Sequence, residues 1–334
     1  MTKKFFMMII CLLFLLASTF GIIGCQSGKT RDNAKATDEK QSTQIVVDDL
    51  GRKIEIPQNP QRIICFRSDD VGTLFAFGAG DKVVGRPSYE AFPEEAKKVP
   101  DVGIPGGPVP KPDMEKVLSL KPDFILMTTS ITLQGGQWSG QSKDLLEKLE
   151  NLNLKVIVLD TPRTLEKNIE KIKKIGQIVG KEKEAAVFTG ELEKKIKEIT
   201  SKAKEANYKP KVATTFSDKF YVLDSEYAKF IEMTGGDYLF SDLKSGSYLS
   251  AEEVVKRNPE VIIVFYSPGE KPDREASEAA IQRIKDLPGV KSTDAYKNNR
   301  IYSIRWAMVV SPGPRIVQTV EEFAKCIHPE NLED

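Results

Sequence analysis

Residues 114–127 read MEKVLSLKPDFILM, and residues 251–264 read AEEVVKRNPEVIIV. In each copy an acid, Glu115 or Glu252, lies seven residues before a proline, Pro122 or Pro259. A second acid and an unbroken apolar run follow each proline. The apolar spacing before the proline is helical, and the run after it has the length and composition of a buried strand. Proline stops the helix and favours extended backbone around it. One helix–turn–strand unit is therefore built twice, and the chain must supply a sheet for each copy.

The remaining patterns supply those sheets. RIICF (62–66), KVVG (82–85), DFILMTT (123–129) and KVIVLD (155–160) are short apolar runs bounded by turn residues, with helical patterns such as Val71–Phe77 and Leu145–Leu152 between them. Strands alternating with helices imply parallel pairing, and strands rich in Val and Ile on both faces suit a sheet covered on both sides. KVATTF, FYVLD, EVIIVFY (260–266) and RIYSI (300–304) repeat the pattern after Lys209, and a last helix is expected over about 313–327, after SPGPR. Between the two sets, residues 164–206 carry no strand signal. Ala185, Phe188, Leu192, Ile196, Ile199 and Ala203 step by three or four, which predicts a helix over about 181–206, ended by NYKP. Such a helix is about 39 Å long. The expected fold is α/β, with two Rossmann-like lobes (44–163 and 209–330) around central, mainly parallel sheets. Linker helices over 164–208, one of them long, join the lobes.

The first residues stand apart. Lys3 and Lys4 precede an apolar stretch over 5–23 that ends in IIGC. That is the form of an export signal, and the ending resembles the bacterial lipobox, in which the cysteine becomes the lipid-bearing first residue. Residues 1–24 then leave and Cys25 carries the anchor. The competing reading is an uncleaved membrane helix. Residues 25–43 form a tether without a large apolar side chain, which cannot offset the entropy of ordering. Its GKT lacks the glycine spacing and preceding strand of a phosphate loop. Of the four cysteines, Cys11 belongs to the signal, and Cys65 and Cys326 lie in apolar elements. A disulfide between these two is open outside the cytoplasm, and two buried free thiols are expected. A net charge of +1 argues against a nucleic-acid partner. No GxGxxG follows a strand, there is no nucleophile elbow, and the single histidine, His328, sits in the tail, so no enzyme is expected.

Taken together, VVDDLGRKIEIPQNPQRIICF (46–66), LFAFGAGDKVVG (74–85), the two repeat copies and the closing IHPE resemble the extracytoplasmic solute-binding proteins of ABC importers for iron complexes and cobalamin. The likeness is to the class with a single helical linker, and it covers nearly the whole mature chain. It implies a ligand held between the lobes and handed to a permease dimer with its ATPase subunits. It also implies a monomer, lipid-anchored on the outer face of the cell membrane. Carried over by motif, Glu115 and Glu252 would each meet permease arginines, one acid per lobe for a two-fold partner. The other use for both acids is to stabilise the starts of their helices.

Ligands of such sheets bind beyond the carboxyl ends of the strands. Those positions hold Arg67 after the first strand, Arg86 and Tyr89 after the second, and Thr129 and the loop reaching Trp138 after the third. Tyr248, Tyr266, Arg305 and Trp306 hold them in the second lobe. FRSDDVG departs from the common family wording by placing charge directly after the first strand. A bare transition metal would want His, Cys or clustered carboxylates, so no metal centre and no cofactor is expected. A ferric chelate arrives already wrapped. Arg67, Arg86 and Arg305 offer forked donors to an anionic one, with Tyr89, Trp138, Tyr266 and Trp306 as walls. A ferric siderophore is the expected ligand. Cobalamin, another corrinoid, or haem held by an axial Tyr, Met or Cys are the alternatives, and a surface lipoprotein that binds no small molecule is a remote one.

Overall fold

The computed structural model describes residues 42–331 apart from 90, 105–110, 132–139, 217–218, 268–271 and 311. The export segment, Cys25, nearly all of the tether, and Trp138 lie outside the described residues.

The described residues begin with an antiparallel hairpin, β1 (Thr43–Val47) and β2 (Lys53–Pro57). Its turn is the DDLGR of the sequence. Asp48 Oδ1 accepts from the backbone N–H groups of Leu50 and Arg52, the Arg52 guanidinium returns to Asp48 Oδ2, and Gly51 takes φ +75°. A left-handed turn residue of this kind favours glycine. The first lobe follows as β3 (Ile63–Cys65), α1 (Ser68–Ala76), β4 (Val83–Gly85), α2 (Met114–Ser119), β5 (Phe124–Thr129), α3 (Gly140–Asn151) and β6 (Val156–Asp160). Its sheet has the order β4-β3-β5-β6, parallel throughout.

Two helices lead away, α4 (Leu165–Ile178) and α5 (Glu182–Ala203). At 22 residues, α5 is about 33 Å long. Ala185, Leu192, Ile196 and Ala203 are its buried face, with Phe188 and Ile199 half-buried beside them. It crosses α4 so closely that a Cβ on Gly176 would come 2.4 Å from that of Ala185.

The second lobe contains β7 (Lys211–Phe216), β8 (Lys219–Tyr221), α6 (Ser225–Met233), β9 (Asp237–Tyr238), β10 (Tyr248–Leu249), α7 (Ala251–Arg257), β11 (Val261–Tyr266), α8 (Asp273–Lys285), α9 (Asp294–Lys297), β12 (Ile301–Arg305), α10 (Trp306–Val310) and α11 (Ile316–Ile327). The sheet order is β10-β8-β7-β11-β12, with β9 beside β7. β7, β9, β11 and β12 pair in parallel, and β8 and β10 add antiparallel edges.

The repeated unit is α2–β5 in one lobe and α7–β11 in the other. Both strands are buried along their whole length, as a sheet covered on both faces requires. Each helix has a side-chain cap, Asp113 accepting from Glu115 and Lys116, and Ser250 accepting from Glu253. The residue before each proline is left-handed, Lys121 at φ +44° and Asn258 at φ +47°, rather than extended as expected. The acid after each proline has an equivalent task in the two lobes. Asp123 accepts the backbone N–H groups of Gln61 and Arg62 just before β3, while Glu260 accepts that of Lys211 at the start of β7.

Below the cleft the lobes touch directly. A Cβ on Gly313, which has φ +49°, would fall 2.7 Å from Asp69 Cβ of α1, and Asn168 of α4 donates to the Gly313 carbonyl at 2.8 Å. The Arg315 guanidinium lies 4.7 Å from the centre of the Phe92 ring. Cys65 and Cys326 are both buried and unbridged. His328 is buried between Glu330 and the Gly235 carbonyl.

Candidate functional site

The carboxyl ends of the strands converge where the lobes meet. At the end of β3, Arg67 holds extended backbone and turns its Nε to Asp69 Oδ1 at 3.0 Å. Asp69 also accepts from Lys171 of α4 at 2.5 Å. The same ammonium reaches Asp70 at 2.8 Å, and Thr128 donates to the other Asp70 oxygen at 2.7 Å. Two basic and two acidic side chains thus share one cluster, of which Lys171, Asp69 and Asp70 are almost wholly out of solvent and Arg67 is partly exposed. Burial alone would raise the Asp69 pKa, but Arg67 and Lys171 outweigh it and hold the carboxyl well below the usual range. For Asp70, burial together with the neighbouring Asp69 prevails over Lys171, and its pKa is raised. Burial opposes the Lys171 charge, yet the two carboxylates keep its pKa above the ordinary value. The cluster fixes Arg67 where its charge is felt by Tyr89 in its own lobe and by Tyr227 in the other.

The second lobe answers with rings. Trp306, just past β12, lies 5.3 Å from Phe216, 5.2 Å from Phe265 and 6.1 Å from Tyr227, centre to centre. Phe216 continues to Tyr221 and Tyr221 to Tyr248, at 6.4 and 5.3 Å. Tyr248 is exposed, and the Lys219 ammonium stands 5.8 Å from its ring centre. This ledge of five rings, from Tyr248 to Tyr227, is joined by edge and tilted contacts and offers aromatic surface to a ligand. Tyr227 links the two walls: burial raises its hydroxyl pKa, while Arg163 and Arg67 of the opposite lobe pull it down.

Of the residues expected at the ligand, Arg67 and Tyr89 stand near each other in the first lobe, and Tyr248 and Trp306 belong to the series of rings in the second. Arg86 is turned away, its Nε on the Ala96 carbonyl and its Nη1 on that of Pro87, bracing its own loop. Thr129 is buried against Ser142. Tyr266 and Arg305, side by side on β11 and β12, both approach Asp273: Tyr266 donates to it at 3.0 Å, and Arg305 is 3.9 Å from it. Burial and that carboxylate push the Tyr266 hydroxyl up to about 12. Glu115 and Glu252 are exposed at matching positions in the first turns of α2 and α7.

Arg163, Phe216, Tyr221 and Tyr227 were not anticipated. The strand-end rule that selects Arg67 selects Arg163 as well, three residues past the end of β6. The rings of Phe216 and Tyr221 sit on the antiparallel β7–β8 pair that interrupts the parallel pattern. Arg163 borders a cavity of about 450 Å³ that Ile131, Asp160, Thr161 and Lys171 also line.

The model of the periplasmic binding protein family matches residues 63–306. The chain is 25% identical to the uncharacterized ABC transporter substrate-binding lipoprotein YvrC of Bacillus subtilis, over 96% of this chain and 97% of that protein. It is 22% identical to a cobalamin-binding protein of Halobacterium salinarum, over 82% of this chain and 71% of the relative. The crystal structure of the petrobactin-binding protein YclQ from B. subtilis superposes with a TM-score of 0.69 at 20% identity, covering 88% of this chain and all of that one; at that identity the likeness is one of fold.

Proposed function

This chain belongs to the periplasmic binding protein family, and from that premise we propose that it captures an anionic metal chelate with aromatic faces, a ferric catecholate siderophore, between its lobes. It is a solute-binding protein of the kind that serves ABC importers, working with permease and ATPase components. Its relatives are transport proteins rather than enzymes. The observation that carries the ligand reading is the pairing of a ring ledge around Trp306 with guanidinium charge from the facing lobe, joined at Tyr227. A catecholate complex offers flat rings to the one and negative charge to the other. No protein side chain need bind the iron. A corrinoid is the second reading, supported by the breadth of the ledge and by the cobalamin-binding relative. Haem stays in the panel as a planar dianionic competitor.

Glu115 and Glu252 are the contacts proposed for the permease, and Cys25 the proposed lipid anchor. Cys25→Ala is expected to release the protein from the membrane fraction, and unchanged anchoring would refute that assignment. The ligand is tested by following the fluorescence of Trp138 and Trp306 during titration with ferric enterobactin, ferrichrome, haemin and cyanocobalamin. Saturable quenching by ferric enterobactin at the lowest concentration is expected. Tight binding of cyanocobalamin alone would replace the siderophore reading with the corrinoid one.

A further inference from the structure

Arg67 is held by a single nitrogen. Its Nε donates to Asp69 Oδ1 at 3.0 Å, no hydrogen bond joins its Nη1 or Nη2 to another described residue, and 19% of the side chain stays in solvent. An arginine that grips a carboxylate fully uses two nitrogens at once, and this one gives Asp69 only one. Asp69 has no freedom of its own. Its Oδ2 takes the Lys171 ammonium at 2.5 Å, its carbonyl accepts from Thr73 Oγ1 at 2.7 Å within α1, and Gly313 leaves no room beside its Cβ. Lys171 is fixed in turn by Asp70, whose other oxygen accepts from Thr128 of β5. A chain of buried contacts thus runs from α4 and β5 to one guanidinium nitrogen and stops there, with the two terminal nitrogens left for another acceptor.

We infer that Asp69 is a positioning residue: by taking Nε alone it aims the terminal fork of Arg67 into the cleft, and so favours anions that present two oxygens side by side, as a catecholate does. The ligand half of this rests on the reading given above. Asp69 never touches the ligand and acts only through Arg67. Lys171 lets it do so, because a carboxylate this far from water keeps its charge only beside cations. A lysine at position 67 would keep the charge of Arg67 and lose the fork, since an ammonium is a point charge without paired planar donors.

The substitutions Asp69→Asn, Arg67→Ala and Arg67→Lys separate position from charge. Asp69→Asn keeps an acceptor oxygen of the same shape and loses the charge that strengthens the bond. By NMR of isotope-labelled protein without added ligand, it is expected to speed hydrogen exchange at Arg67 Nε by about tenfold. Unchanged exchange overturns the positioning whatever the ligand is. With ferric enterobactin as probe, Asp69→Asn, Arg67→Ala and the double variant form a cycle. The charge of Asp69 also repels an anion, but it does so with or without Arg67, and the cycle cancels that effect. Asp69→Asn is expected to be less favourable to binding by about fivefold or more when Arg67 is present than when it is alanine. Effects that add to within about twofold overturn the inference. Arg67→Lys leaves the buried Asp69–Lys171 pair in place, so it decides the matter even where Asp69→Asn fails a thermal scan. It is expected to weaken ferric enterobactin about tenfold or more, and parent-like affinity in that variant overturns the fork. If the unaltered protein takes cyanocobalamin and not ferric enterobactin, the siderophore reading falls, and exchange at Arg67 Nε still decides the positioning.

Discussion

The Lys171 ammonium lies 2.5 Å from Asp69 Oδ2, and both side chains are almost entirely out of solvent, at 4% and 1%. The pair joins the first linker helix to α1 directly below Arg67, so the charge that lines the cleft is held by charge that no ligand can reach. Breaking a buried pair by removing one partner costs about 3–5 kcal/mol. Lys171→Met is expected to cost about that much in urea unfolding, because Asp69 and Asp70 would then face each other with only Arg67 to compensate.

Acid should act on the same cluster. The folded-state pKa of Asp69 lies below its ordinary value of 3.8, so the unfolded chain binds the proton more readily. The stabilisation is complete above the ordinary carboxylate range and fades as pH falls through it toward the depressed folded value. Asp69→Asn is therefore expected to lose more stability at pH 7 than at pH 3. Asp70, with its raised pKa, contributes in the opposite sense, since protonation in the folded state relieves it as pH falls. Unfolding free energies of Asp69→Asn and the parent at the two pH values check the sign.

Arginines that look alike in sequence should separate in binding. Arg67→Ala is expected to weaken an anionic chelate by about ten- to a hundredfold, the worth of a charge-assisted contact. Arg86→Ala is expected to change affinity by no more than about twofold, while loosening the loop it braces through the Ala96 and Pro87 carbonyls. Calorimetric titration of both variants decides it.

The exposed acids of the repeat make a different claim. Glu115→Ala together with Glu252→Ala should leave ligand affinity intact and impair uptake in cells. Both positions are exposed in capped helical turns, so a folding defect is not expected, and a thermal scan verifies that. Normal uptake at normal protein levels would remove them from the permease contact.

The acids after the two prolines are structural. Asp123→Ala would strand the N–H groups of Gln61 and Arg62, and Glu260→Ala that of Lys211. Because these N–H groups are exposed and water can replace the lost acceptor, each is expected to cost about 0.5–1.5 kcal/mol in chemical denaturation, with no selective effect on any one ligand.

Much of this arrangement was readable before any coordinates. Apolar runs with period-independent burial identified β3, β5, β6, β7 and β11, because strands covered on both faces cannot hide their composition. The linker was readable from one helical face, Ala185 to Ala203. Side-chain direction was not. Arg67 and Arg86 occupy equivalent strand ends, yet one is held toward the cleft by Asp69 and the other is captured by nearby carbonyls, and only the local backbone path decides which. The ring ledge escaped for a related reason. Phe216, Tyr221, Tyr227 and Trp306 come from four separate elements, and no spacing along the chain announces that they meet. Arg163 is the exception, since the rule already in use points to it.

The contact between α1 and Gly313–Arg315 carries a consequence for how the molecule is completed. The first sheet is made entirely from residues 63–160, so it can close while the rest of the chain is still emerging. The face of α1 that bears Asp69 and Gly72, however, is covered by Gly313 and Pro314, which arrive almost last. Until they do, the cluster that fixes Arg67 has its roof missing. A chain cut short after β12 would thus present a finished first lobe with its charge-holding floor open to water, and protein lacking only its tail would be selected against at the cleft rather than at the tail.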